Sequence, residues 1–398
     1  MKTIYDKSKQ RVPIKCWADD ADAQTIQQAV NVANLPDAVD HVALMADAHV
    51  GFGMPIGGVV AIREAIIPYA VGMDIGCGMS AWRTGVPAGQ IADHLDRILH
   101  AVQTRIPVGF KHRTPRQGRQ LAEGHCPEIF DLLAGTDAKK AFLSGHDKII
   151  EQIGTLGGGN HFIEIQVDTD DVAWLMVHSG SRNVGKQICD HFYKLAKQVC
   201  KKRGIEAPDP ALSYLPIDSR EGAAYLAHMT FAQDFARLNR HVMMKICQQI
   251  LEQSPVGGQV DGTQDVVNIH HNYAAEEEHY GQRVWVHRKG ATSARTGQLG
   301  VIPGSMGTRS YIVRGLGNPE SFVSCSHGAG RVMGRKEARR KIPMDRFVQS
   351  MKGIRFHPSP QHLDEAPDAY KDIGRVMANQ RDLVEVVTEL RPIAVVKG

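Results

Sequence analysis

Glycine in this chain gathers in clusters: 51–58 (GFGMPIGG), 72–78 (GMDIGCG), 154–159 (GTLGGG), 180–185 (GSRNVG), 297–307 (GQLGVIPGSMG), 315–317 and 328–334 (GAGRVMG). Each abuts a short run of strand-forming residues, as at 59–62, 162–167, 172–177, 284–287 and 311–313. Glycine permits positive φ and lets backbone come close to a ligand. Several clusters also carry His, Asp, Asn or Cys. These features point to a fold whose strand ends and loops converge on one site. The excess matters for that reason: glycine is 39 of 398 residues, against an average of roughly 7%, and histidine is 19.

Helical patterns lie between the clusters. Residues 21–32, 89–104 and 187–203 read as helices, and 221–251 is apolar at helical spacing with no break. Near the end, 366–379 and 382–390 read as helical and 392–397 as a terminal strand. A strand is also expected at 266–269. Strands and helices do not alternate regularly, which argues against a doubly wound sheet or a TIM barrel. The expectation is an α+β fold: one large mixed-sheet body over residues 1–398, with an active site built by glycine-rich strand-end loops.

Composition excludes several classes. The 47 basic and 43 acidic residues leave a net charge of +4, too small for a general nucleic-acid coat but compatible with a local groove. The seven cysteines are widely spaced, with no C-x-x-C pair, so neither a disulfide framework nor a zinc ribbon is expected. No apolar run approaches a membrane span, and the N-terminus lacks an apolar signal core. A reduced, cytoplasmic home is expected.

The chemistry-bearing residues fall into five groups. Asp74 and Cys77 lie three apart in a glycine-flanked turn; a thiolate can bridge metals and a carboxylate adds a harder oxygen. Asn160-His161 follows a glycine run that could cradle phosphate. His178 ends a buried strand before a turn carrying Arg182. His270-His271-Asn272 ends another; on a strand only one of the two histidines can face a given site. Cys325-Ser326-His327-Gly328-Ala329-Gly330-Arg331 sets a histidine among glycines. Singly, each reads equally well as a core or loop residue. Jointly, three imidazoles, a carboxylate and a thiolate could hold one or two divalent ions. His327, with open access on both sides, is left over as a candidate nucleophile on phosphorus. Arg182, Lys289, Arg309, Arg331 and Arg335 could neutralise phosphate oxygens. The dinucleotide fingerprint and the phosphate-binding P-loop motif are both absent.

The segments VGMDIGCGM, LGGGNHFIEI, MVHSGSRNVG, HHNYA, RKGATSARTGQLGVIPGSMG, SFVSCSHGAGRVMGR, AYKDI and the terminal VVKG resemble the RtcB family of RNA-splicing ligases, in the family's order. The likeness spans roughly 41–398 and is weaker in 105–150 and 205–260. The segment MADAHVGFGMPIGG carries Ala46 where many members have Pro. The resemblance implies two Mn²⁺ ions, one on Asp74, Cys77 and His161, the other on Cys77, His178 and His271. It implies that GTP guanylates His327. The guanylate pocket is implied at Asn160, His161, Phe162, Glu164, His271, Asn272, Pro303, Gly304, Ser305, Met306, Ser310, Gly328, Ala329, Gly330 and Lys397. Arg182, Lys289, Arg331 and Arg335 are similar to residues that meet RNA phosphates. The implied reaction joins an RNA 3′-phosphate or 2′,3′-cyclic phosphate to a 5′-hydroxyl, in splicing or repair. The particular RNA and any helper proteins stay open. Two other readings stand beside it: a metal-dependent phosphoesterase or nuclease without nucleotidylation, and an RNA-end-binding protein with an idle metal site.

Overall fold

The computed structural model describes residues 1–135, 143, 145–262 and 267–398. Two sheets dominate. The first has six strands in the order Lys2–Ile4, Ile14–Cys16, Ala38–Phe52, Met54–Ile62, Gln282–Lys289, Asn272–His279. The second has seven, in the order Val267–His270, Gly78–Pro87, Val172–Ser179, Phe162–Val167, Val384–Lys397, Ser310–Gly315, Leu299–Ile302. Within these two sheets every pairing is antiparallel except Ile14–Cys16 with Ala38–Phe52. The mixed α+β architecture agrees with the expectation.

The seven-stranded sheet is covered on both faces, and the period of two decides which residue serves which face. In Val172–Ser179, Ala173, Leu175 and Val177 join the core under the helices. Trp174 and Met176 join the opposite core, against Ala338, Ile342 and Phe347. His178 continues that second register, and its ring meets Phe162 edge-on at 5.4 Å. The helix-side core is closed by Arg220–Glu252, one unbroken helix of 33 residues, started by Ser219, whose hydroxyl accepts from the N–H of Gly222 at 3.0 Å.

Several expectations are corrected. Residues 382–390 are not helical: Val384–Lys397 is one 14-residue strand. Its first half pairs with Ser310–Gly315 and its second with Phe162–Val167, changing partner near Pro392, where the register shifts. The β-branched run Val384, Val386, Val387, Thr388 favours this pairing over a helix. Residues 89–104 divide into helices Ala88–Ala92 and Leu95–Arg105, with non-helical backbone at His94. Of 366–379, only Ile373–Asn379 is α-helical; the Asp372 side chain caps it, accepting from the N–H of Arg375. The strand expected at 266–269 appears as Val267–His270, residue 266 lying outside the described residues. All seven cysteines are buried free thiols. No helix among the described residues is long and apolar enough to cross a membrane.

Candidate active site

The glycine clusters deliver their side chains to one end of the seven-stranded sheet. A tight turn follows the short helix Pro68–Val71; the N–H of Cys77 closes it on the carbonyl of Asp74 at 3.0 Å. Cys77 then leads into strand Gly78–Pro87. His271 sits between strands Val267–His270 and Asn272–His279, and its N–H donates to the carbonyl of Cys77 at 2.8 Å. His161 precedes Phe162–Val167, and Phe162 pairs with His178 across the sheet.

The result is a buried chain of donor atoms. Cys77 Sγ lies 3.5 Å from His161 Nε2 and 3.4 Å from His178 Nε2. His178 Nε2 lies 3.4 Å from His271 Nε2, and His161 Nε2 lies 3.2 Å from Asp74 Oδ2. The far nitrogens are engaged elsewhere: His161 Nδ1–H donates to the carbonyl of Leu156 at 2.9 Å and His178 Nδ1–H to that of Asn160 at 3.1 Å. That choice of tautomer aims the Nε2 lone pairs inward, as metal-binding histidines require. Burial holds His178 and His271 well below the ordinary imidazole range, so both are neutral. Burial, with Asp74 beside it, pushes the Cys77 thiol well up. Burial also works to raise Asp74, but His161, Cys77 and the charge of Arg182 together hold it below its ordinary value. Neutral imidazoles, a carboxylate and a thiol that a cation would deprotonate are a fitting donor set for a transition metal. His270, by contrast, turns its ring to Arg240 and to the carbonyl of Gly76.

Two neighbours in the long helix lock these loops. Arg240 is fully buried and has no ion-paired carboxylate among the described residues. Its guanidinium donates to the carbonyls of Gly76 and Ser179, both at 2.9 Å, and meets His270 Nδ1 at 3.1 Å. Each partner adjoins a candidate ligand: Cys77, His178 and His271. Asn239 donates to the carbonyls of Thr155 and Gly180 and to Ser179 Oγ. Gly157, in the same web at φ +94, admits no side chain: a Cβ would lie 1.9 Å from Arg182 Nη1 and 2.6 Å from His161 Nδ1.

Beside the cluster lies a cavity lined by the turn Pro303, Gly304, Ser305, Met306 and by His327, Gly328, Ala329 and Gly330. Gly330 has φ +75 and packs on the strand carrying Asp47; a Cβ there would sit 2.2 Å from the Asp47 carbonyl oxygen. That approach brings Asp47 Oδ2 to 2.7 Å from His327 Nδ1, while the backbone N–H of His327 donates to the same oxygen at 3.3 Å. Burial would raise the Asp47 carboxyl, but His327 holds it below its ordinary value. His327 meets His271 ring to ring at 4.8 Å, so the cavity and the donor cluster adjoin. Lys397 closes the floor; its Nζ donates to the carbonyl of His161 at 3.2 Å and lies 3.4 Å from Glu365.

The remaining candidates distribute unevenly. Asn160 and Phe162 line the cavity. Glu164 is buried, accepts from Gln166, and is raised to about 8 by burial. Ser310 lies behind the turn, its hydroxyl accepting from the N–H of Gly304 at 3.2 Å. Asn272 lines a neighbouring hollow with His271 and His327, bridging the Asp74 carbonyl and the Gly290 N–H. Arg335 lines the cavity and the two neighbouring hollows. Arg331 lines it too, but its guanidinium is already held by Glu365, the Tyr370 hydroxyl and two carbonyls. Lys289 is buried, donating to the Phe52 carbonyl at 2.6 Å, and burial lowers it to about 8. Arg309 lines a different hollow, its guanidinium paired with Glu389. Sequence reasoning missed Asp47, Glu365, Asn239 and Arg240. A lone Asp within the apolar run 42–48, and an Arg on the most buried stretch of a helix, were the available signals.

Donors that could hold a metal ion, beside a glycine-walled cavity with a histidine next to a buried carboxylate, form a candidate enzyme site. Residues 28–398 match the family model for "tRNA-splicing ligase RtcB". The chain is 41% identical to the RNA-splicing ligase RtcB of Escherichia coli K12, over 98% of each chain. It is 31% identical to the tRNA-splicing ligase RtcB of Pyrobaculum aerophilum, over 98% of this chain and 96% of that one. Likewise it is 31% identical to the tRNA-splicing ligase RtcB of Thermococcus kodakarensis, over 99% and 96%. The chain belongs to the RtcB family.

Proposed function

We propose that this RtcB-family RNA ligase joins RNA 3′-phosphate or 2′,3′-cyclic phosphate ends to 5′-hydroxyl ends, using GTP and manganese, and acts as a single catalytic body over residues 1–398 in the cytoplasm. The observation that carries the reading is His327 Nδ1 held at 2.7 Å by a buried carboxylate, in a cavity adjoining the donor cluster. With Nδ1 2.7 Å from the Asp47 carboxylate, Nε2 is the nitrogen left to act as the nucleophile.

The steps follow from that nitrogen. Nε2 of His327 attacks the α-phosphorus of GTP; the new N–P bond forms as the bond to pyrophosphate breaks. Asp47 orients the ring and stabilises the charge it gains. An oxygen of the RNA 3′-phosphate then attacks the same phosphorus, freeing His327 and leaving the 3′-end activated as a diphosphate to guanosine. The 5′-hydroxyl attacks the 3′-phosphorus, loses its proton, and GMP departs. A cyclic phosphate is first opened by water to the 3′-phosphate. Lys397 and Arg335 line the cavity as cations for phosphate oxygens. Two Mn²⁺ ions, on Asp74, Cys77 and His161 and on Cys77, His178 and His271, would supply Lewis-acid charge neutralisation at the triphosphate.

Incubation with α-labelled GTP and Mn²⁺ tests the reading. Wild type becomes labelled and His327→Ala does not; undiminished label in the variant, or none in wild type, overturns the covalent step. Ligation of defined ends with GTP or ATP should proceed with 3′-phosphate and cyclic phosphate partners and fail with 3′-hydroxyl. Hydrolysis of RNA without GTP would favour a phosphoesterase instead.

A further inference from the structure

Phe110 is fully exposed, at 101% of its reference area, although it belongs to a loop that is firmly held. The N–H of Gly109 donates to the carbonyl of Gly157 at 2.8 Å, and the Gly109 carbonyl accepts from Arg182 Nη2 at 2.9 Å. On the other side, the Arg113 guanidinium binds the carbonyls of Arg105, Ile153 and Gly154 at 2.8–3.0 Å. Anchors on both flanks present a large apolar ring to water with no packing partner among the described residues. Its location supplies a use. Phe110 stands at the rim of a groove of about 830 Å³ whose floor includes Asp74 and His161 and whose walls carry Arg182, Lys186, Arg335 and Arg339. Lys186 and Arg339 have their own carboxylates, Asp190 and Asp364. Arg182 and Arg335 have no ion-paired carboxylate among the described residues; they bind neutral oxygens instead.

We infer that this groove takes a single-stranded segment of one of the RNA ends, and that Phe110 is a stacking platform for one of its bases. The inference rests on the RNA-ligase reading and adds a recognition residue to it. A polyanion with flat bases matches both features: the cations meet phosphates and the ring meets a base. Stacking of this kind is tolerant of base identity, because every base offers a π face. An acidic protein partner would satisfy the cations but gives no reason for an exposed aromatic ring on the same groove. The groove opens onto Asp74 and His161, while the nucleotide cavity adjoins the cluster at His271 and His327. A strand in the groove would thus approach from a different side than GTP.

The test is binding of short fluorescein-labelled oligoribonucleotides, one ending in 3′-phosphate and one beginning with 5′-hydroxyl, by fluorescence anisotropy at fixed salt. Phe110→Ala should weaken binding of at least one end by about 5- to 150-fold. Phe110→Trp should restore it, with tryptophan emission quenched on binding. Oligonucleotides made abasic at the two terminal positions should bind wild type and Phe110→Ala alike. Unchanged affinity of Phe110→Ala for both intact ends overturns the inference and leaves the ring to a protein partner. An equal loss with abasic oligonucleotides also overturns it, as would a Trp variant no better than Ala. A wild type that joins ends while Phe110→Ala matches it removes the stacking alone; a wild type that neither binds nor joins RNA removes the ligase reading with it.

Discussion

Strand Asn272–His279 begins beside one buried polar cluster and ends in another. At its far end the Glu277 carboxylate accepts from Arg288 at 2.6 and 3.0 Å and lies 3.0 Å from His279. Arg288 in turn donates to Ser324 and the Phe322 carbonyl. Opposite charges face each other there, and the polar atoms find partners within the protein. At the near end, His271, His178, His161, Cys77 and Asp74 turn lone pairs toward one another at 3.2–3.5 Å. The buried Arg240 donates to the backbone behind them rather than into their midst. Burial of polar groups is common to both clusters. What separates them is that one is internally complete, while the other gathers donor atoms that could hold a metal ion.

That contrast can be broken by mutation. The largest effect is expected at Cys77, whose sulfur lies within 3.5 Å of two imidazoles. Cys77→Ala should lose tightly bound metal, read by elemental analysis after dialysis, and fall to background in ligation. Full metal content in an active variant would remove the thiolate from the site. At the complete cluster the reverse is expected. Glu277→Gln leaves a fully buried guanidinium without its carboxylate, and should lower unfolding stability by about 3–5 kcal/mol while leaving metal stoichiometry intact. A variant as stable as wild type would show that pair to be dispensable.

Arg240 tests whether the two clusters are as separate as they look. Arg240→Met removes donors to Gly76 and Ser179, the neighbours of Cys77 and His178. Metal affinity should fall by about 10- to 100-fold, measured by competition with a chelating dye. A change in melting temperature without a change in affinity would make Arg240 a packing residue only.

The smallest effect is in acid. Burial works to raise Glu277, but His279 and Arg288 hold it down to about 2, below the roughly 4.3 of an unfolded glutamate. Its contribution is therefore complete above the unfolded value and is lost as pH falls from there through about 2. The stability gap between wild type and Glu277→Gln should narrow over that window in denaturant titrations. A gap that stays constant would mean that Glu277 is not ionised in the fold.

Much of the donor set was legible in the chain because each residue is flagged locally. Asp74, Cys77, His161, His178 and His327 sit at glycine clusters, where backbone must come close to something. The choice of His271 over His270 was not local: a strand puts the two on opposite sides, and only the tertiary fold says which side holds the other imidazoles. Asp47, Asn239 and Arg240 carry no flag of this kind. They lie inside a strand and a helix, and their roles arise from elements distant in sequence that pack against them. The misread segment 382–390 has the same origin, since its strand is stabilised by partners on two other strands.

The sequence by itself determined the chemistry: a thiol, a carboxylate, imidazoles and glycine-rich turns, in an order resembling one family. Tertiary structure decided the use of each. It set His327 beside Asp47, satisfied Arg331 with Glu365 and paired Arg309 with Glu389. It also left Phe110 bare at the rim of a cationic groove. The physical reason is that a side chain's chemistry is covalent and local. Its charge state, accessibility and partners depend on what the rest of the fold brings within a few ångströms of it.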